Sequence, residues 1–170
     1  MKTINPTEVK GLLNFVGQSS NFFEEYDVVD NVRLFCSDRD INDLKFGIFC
    51  SFKNSKNTLK VDVSSRSYYN MKFFLDKHTK YIPHAHKLFN ILVNFGKIKI
   101  VAAIVTSYDK GHFITYMIFE NDGKFLCTDC FFTDAVCIMQ SCDFPIYVHQ
   151  EIVYFLGTDS ELLKKEALDA

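Results

Sequence analysis

The sequence predicts an α+β fold in which an N-terminal helical part packs on a mostly antiparallel C-terminal sheet. The sheet is predicted from two runs of β-forming residues, 113–119 and 125–129, which are joined by an Asn-Asp-Gly turn at 121–123. The helical part is predicted over residues 6–35, where capping residues and a proline precede an apolar stretch. The two runs and the turn together predict a hairpin.

The first helix is predicted to begin at Pro6, with Asn5 or Thr7 as its cap. The apolar residues predicted to face the core are Leu12, Phe15 and Phe22. Two more strands are predicted at 46–50 and 59–63. The second of them alternates apolar and polar residues, as a half-buried strand does.

Length and composition indicate a single domain over residues 1–170. The formal net charge is −2 and there is no long basic run, which argues against a protein held mainly by phosphate contacts but is compatible with a local basic patch. No apolar run is long enough to span a membrane, and the N-terminus has no secretory h-region. We therefore expect a cytoplasmic or nuclear protein without a membrane partner, whose six cysteines are reduced thiols.

A histidine and an aspartate stand at the two ends of the predicted hairpin. His112 opens one strand and Asp129 closes the next, 17 residues later. A carboxylate can orient an imidazole in a catalytic site, so this pair is a candidate for hydrolytic chemistry. The alternative is a surface histidine beside a hairpin and an aspartate that begins a loop.

The position of the hairpin turn decides whether these two side chains meet. A two-residue turn at 122–123 places Asp129 opposite Tyr116, which leaves His112 four residues away, or about 13 Å at strand rise. A turn centred near residues 120–121, or a bulge in the returning strand, would bring the two side chains together.

Residues 96–157 resemble the histidine box of the ubiquitin-specific proteases, which are papain-like cysteine peptidases. The residues at matching places are Gly111, His112, Phe113, Tyr116, Gly123, Phe125 and Asp129. Phe125 stands where that family usually has tryptophan. The resemblance implies a reduced papain-like domain in which 96–157 form the histidine-box sheet. It also favours the second register, so His112 and Asp129 are predicted to lie within hydrogen-bond reach or one water of it.

Residues 11–35 resemble the same family's cysteine box. Gly11, Leu12 and Asn14 match, and the nucleophile position falls on Ser19, with Ser20 beside it. A papain-like site activates a thiolate, and a serine hydroxyl is far less acidic. The resemblance makes Asn14 an oxyanion-hole residue and Ser19 a lost nucleophile. The predicted vestigial site is Asn14, Ser19, His112 and Asp129.

The resemblance implies a catalytically inactive, ubiquitin-specific-protease-like binding module in a larger assembly, such as a spliceosomal or ribosomal ribonucleoprotein. The chain has no room for the fingers extension through which that family grips ubiquitin, which counts against ubiquitin binding. One alternative is an active deubiquitinase or ubiquitin-like-protein hydrolase that uses Cys36 or Cys50. Another is a structural factor in which the histidine box is a coincidence.

No cofactor or metal is predicted. Four cysteines could hold zinc, but the second pair is widely spaced and the first two point to opposite sides of a strand. These cysteines are Cys127, Cys130, Cys137 and Cys142. His84 and His86 share one face of a predicted strand, with no carboxylate or cysteine nearby. We expect less than one equivalent of zinc in the purified protein.

Residues 159–169 are predicted to form a short, capped amphipathic helix at the C-terminus. Its leucines would dock on the parent domain, or else bind a partner.

Overall fold

The computed structural model describes residues 25–37, 44–75, 84–140 and 142–159. Eight strands and four helices are found in these ranges. The strands are β1 (Tyr26–Ser37), β2 (Lys45–Phe52), β3 (Asn57–Val63), β4 (Lys99–Asp109), β5 (His112–Asn121), β6 (Lys124–Cys130), β7 (Ile146–His149) and β8 (Gly157–Asp159). The helices are α1 (Ser65–Leu75), α2 (His84–Phe95), α3 (Phe132–Met139) and α4 (Gln150–Leu156). None of the described helices is long and apolar enough to cross a membrane.

All eight strands belong to one sheet, in the order β6-β5-β4-β7-β1-β2-β3-β8. Two antiparallel groups, β6-β5-β4 and β1-β2-β3-β8, stand on either side of the short strand β7. β7 pairs antiparallel with β1 and parallel with β4. The four residues of β7 therefore join the two groups into a continuous sheet.

The strand β4 is buried on both of its faces. Successive residues of a strand point to opposite sides of the sheet, yet Ile104 and Val105 are both fully buried. Val105 belongs to the main core, to which all four helices contribute side chains. Ile104 belongs to a second cluster, on the other face, with Tyr26, Ile118 and Cys127. A continuous apolar run is the expected sequence for a strand covered on both sides.

Two tight turns fix the register of the β4–β5–β6 meander. Asp122 and Gly123 both have positive φ, 49° and 73°, as do Lys110 and Gly111, at 48° and 88°. Positive φ at both central residues is the conformation of the hairpin turn whose twist matches that of the flanking strands. The side chain of Glu120 also accepts a hydrogen bond from the amide of Gly123, at 2.9 Å.

The predicted papain-like fold with a helical N-terminal part is wrong. Residues 26–35, which fall within the predicted helical region, form most of the strand β1. The physical reason is readable in the sequence: Val28, Val29 and Val32 are β-branched, and Val32 and Leu34 alternate with the exposed Arg33. The rest of the predicted helix, including the cysteine-box residues, lies outside the described residues.

Of the other predicted elements, four strands are observed and one predicted strand is a helix. The predicted strands at 46–50, 59–63, 113–119 and 125–129 all lie within observed strands. The prediction that His84 and His86 lie on a strand is wrong, because this segment begins the helix α2. The predicted C-terminal helix, apart from Asp159 at the end of β8, lies outside the described residues.

Candidate functional site

The residues predicted as a vestigial triad do not come together in the described part of the chain. Asn14 and Ser19 lie outside it. His112 is the exposed first residue of β5 and pairs with Asp109 across the Lys110-Gly111 turn. Asp129 is exposed on β6 and pairs with Tyr116. His112 and Asp129 are thus four residues apart along the sheet, which is about 13 Å.

The prediction that His112 and Asp129 meet is therefore wrong, and the turn explains why. With Asp122 and Gly123 in the two central positions, every facing pair of β5 and β6 is fixed. A one-residue slip would turn each side chain to the other face of the sheet and exchange buried residues for exposed ones.

The cysteines are dispersed rather than gathered at one site. Cys127 lies in the second cluster, while Cys130 packs against the main core on the opposite face, and Cys137 is buried in α3. Burial, with a smaller contribution from nearby carboxylates, raises the pKa of both Cys130 and Cys137 to about 12. Among the described residues, no three His, Cys, Asp or Glu side chains are grouped so that they could hold a metal ion.

Cys50 is not suited to be a nucleophile. Its side chain is fully buried in the main core, and burial raises the pKa of its thiol to about 12. The reactive form of cysteine is the thiolate, which this environment disfavours at neutral pH. Cys36 is exposed near the end of β1, where it faces Phe46.

A different site lies over β1, β2 and β3, on the sheet face opposite the main core. Directly paired residues of adjacent strands share a face. Val32, Ile48 and Val61 point into the core, so their sequence neighbours on β1, β2 and β3 point outward. We call this surface the open face. It is formed by Asn31, Arg33, Phe35, Lys45, Gly47, Phe49, Ser51, Lys60 and Asp62.

Register places the functional groups of the open face in two adjacent rows. Arg33 pairs with Phe49, which pairs with Lys60, so a ring lies between two cations. In the next row Phe35 pairs with Gly47, which pairs with Asp62. Three bases and one acid lie on this face, so its charge is positive although the whole chain is slightly acidic. The bases, all exposed, are Arg33, Lys45 and Lys60.

The rings of Phe35 and Phe49 pack against each other, and we call this pair the aromatic platform. The centroids of Phe35 and Phe49 are 4.5 Å apart and their planes are inclined by 32°. Phe35 can occupy this place because its partner is a glycine: a Cβ at Gly47 would come within 2.2 Å of the ring. The ammonium group of Lys60 stands 4.8 Å from the centroid of Phe35, in a cation–π contact. Both rings are half-buried, which leaves part of each ring accessible.

A cavity lies beside the other group of strands, β4, β5 and β6. This cavity of about 590 Å³ opens between α2 and the β5–β6 hairpin. Its walls are mostly apolar, with Phe89, Leu92, Phe119 and Leu126 among them. The charged residues that line it are two acids, Glu120 and Asp122, and one base, Lys124, so the charge of the wall is unfavourable for an anionic ligand. The open face is therefore the better candidate for a charged ligand.

The fold and the open face define a mostly antiparallel β domain with a basic and aromatic sheet surface. Residues 48–161 match the family described as the bifunctional nuclease domain. The matched range is more than half of the chain, and the chain belongs to this family. No curated protein matches the chain. On the open face, Phe49 and Lys60 lie inside the matched range, whereas Arg33 and Phe35 precede it.

Family membership overturns the resemblance to the ubiquitin-specific proteases. The inactive binding module of that type is wrong, and so is its alternative, the active deubiquitinase. The residues behind the resemblance are those of a tight hairpin between aromatic strands. Such hairpins recur across unrelated β-sheet proteins because the same turn chemistry and β propensities build them. Sequence reasoning missed the open face, although the Gly47 and Phe35 pair could have signalled it once the strands were aligned.

Proposed function

We propose that this chain acts on nucleic acid as a nuclease domain, cleaving phosphodiester bonds. The observation that carries the proposal is the family match over residues 48–161. The open face supports it, because lysine and arginine bind phosphate and aromatic rings stack on bases. These are the groups that the register of β1, β2 and β3 assembles.

The net charge of the whole chain is slightly negative, but the positive charge of the open face is what a nucleic-acid strand would contact. A protein that wraps duplex DNA through many phosphate contacts is usually strongly basic. Here three cations on one sheet face provide a limited number of contacts with a short stretch of backbone. We therefore expect modest affinity, with a salt dependence that corresponds to about two or three phosphate contacts.

The experiment is a cleavage assay on the full chain with end-labelled oligonucleotides of single-stranded RNA, single-stranded DNA and duplex DNA, in buffer with magnesium ions. We expect shortened products whose yield follows the protein peak in size-exclusion fractions. An Arg33→Gln/Lys60→Gln double variant should cleave at least about tenfold more slowly at low substrate concentration, since it loses phosphate contacts.

The matched control removes two exposed lysines elsewhere, Lys99 on β4 and Lys110 in the following turn. Lys99→Gln/Lys110→Gln changes the net charge by the same amount but leaves the open face intact, so its cleavage rate should stay close to that of the wild type. The proposal fails if fractions of pure, folded protein neither cleave nor bind any of the three substrates.

A further inference from the structure

The aromatic platform of the open face has a shape that suits one kind of nucleic acid. Phe35 and Phe49 lie on the surface of a sheet, and their rings cannot reach the bases of a paired helix, which are stacked on one another. Unpaired bases have free π faces and can stack on such rings, whatever their sequence. We propose that the open face binds single-stranded nucleic acid, with bases stacked on Phe35 and Phe49. This inference rests on the proposed function and specifies its substrate class.

The cations define the path of the strand. Arg33 and Lys60 flank Phe49 on either side in one row, so phosphates that lead to and from a base stacked on Phe49 can each reach a cation. Asp62 lies in the neighbouring row beside Gly47 and repels phosphate. The backbone therefore follows the row of Arg33, Phe49 and Lys60 rather than the row that holds Asp62.

The ammonium group of Lys60 takes one position without ligand and another when nucleic acid is bound. Without ligand its ammonium group lies over the ring of Phe35, at 4.8 Å from the centroid. A base that stacks on Phe35 takes that place, and the flexible four-carbon side chain of Lys60 then turns to a phosphate. The cation–π contact keeps the ring covered until a base replaces it, and the charge of Lys60 is used in both states.

A protein partner would fit this surface less well. Interfaces between proteins are depleted of lysine at their buried centre, whereas Lys60 stands over the platform itself. Charge complementarity with a polyanion, together with two partly accessible rings, favours a nucleic-acid strand as the occupant.

The test is binding of the full chain to a fluorescently labelled single-stranded oligonucleotide, followed by anisotropy, with a duplex of the same length for comparison. Phe35→Leu and Phe49→Leu should each weaken binding to the single strand by about tenfold, because each removes a stacking surface. Phe49→Tyr keeps an aromatic ring and should retain near wild-type affinity. Lys60→Gln should reduce the slope of log affinity against log salt concentration by about one, which corresponds to the loss of one phosphate contact.

Phe155→Leu is the matched control, since this ring is 74% exposed on α4, away from the open face, and its loss should leave affinity unchanged. Thermal melting of each variant checks that it is folded. If the wild type binds and cleaves nucleic acid but both leucine variants bind like it, or if the duplex binds as tightly as the single strand, this inference is overturned while the proposed function stands. If the wild type neither binds nor cleaves, both are overturned.

Discussion

Alkaline pH is expected to destabilise the wild-type chain more strongly than a Cys50→Ala variant. The folded chain raises the pKa of the Cys50 thiol from 9.0 to about 12 by burying it. Because the folded-state pKa is the higher one, the contribution to stability is fully present below about pH 9. It is lost progressively as the pH rises toward about 12, and amounts to on the order of 4 kcal/mol.

Urea unfolding of both proteins at a series of pH values from about 8 to about 11 measures this difference. The alanine variant starts from a lower free energy of unfolding, because it loses core contacts, but its stability should fall less steeply with pH. Cys36→Ala replaces an exposed cysteine and serves as the control, with a pH dependence like that of the wild type. Parallel curves for wild type and Cys50→Ala would show that this thiol is not shielded from water as described.

Removing the carboxylate of Asp27 is expected to cost about 3 kcal/mol of unfolding free energy, because a charged acceptor of several hydrogen bonds is lost. Asp27 is only 1% exposed. Its Oδ1 accepts from the amide of Val28 at 2.8 Å, from the amide of Asn54 at 3.1 Å and from the side-chain amide of Asn54 at 3.3 Å. This carboxylate fastens the loop after β2 to the strand β1, so it also holds the open face in register.

Chemical denaturation of Asp27→Ala and Asp27→Asn measures the effect. The asparagine variant keeps an oxygen acceptor of the same shape, so it should lose less stability than the alanine variant. An alanine variant that unfolds at the same urea concentration as the wild type would contradict the role assigned to this side chain.

Local sequence patterns predict four of the eight described strands, but not the order of the strands in the sheet. Strands such as 59–63 and 113–119 were predictable because their alternation and β-branched residues are local signals. β1 has the same signals, yet the apparent cysteine box upstream favoured a helix through residue 35. The parallel pairing of β7 with β4 joins segments about 40 residues apart, and no local pattern encodes it.

The hairpin register shows how a resemblance can override a sound physical argument. Two-residue turn geometry alone placed Asp129 opposite Tyr116, and that is the observed pairing. The contrary register was preferred only because the protease family brings its histidine and aspartate together. The turn residues Asp122 and Gly123 were the better guide.

The open face could not be recognised before the strands were aligned. Phe35, Phe49 and Lys60 lie on three different strands, and each is unremarkable in its own segment. Only the register of β1, β2 and β3 makes them neighbours, and only the absence of a side chain at Gly47 leaves room for the ring of Phe35. A site whose residues come from several strands depends on how those strands pair, and the pairing is known only once the fold is known.

The location of nucleic-acid binding is the central claim, and amide chemical shifts test it most directly. The full chain, labelled with ¹⁵N, is titrated with a short single-stranded oligonucleotide, and shift changes are mapped by residue. We predict that the largest changes fall on Arg33, Phe35, Phe49 and Lys60 and their strand neighbours. Changes confined to the α2 and β5–β6 cavity, or no changes at saturating oligonucleotide, would contradict the assignment of the site to the open face.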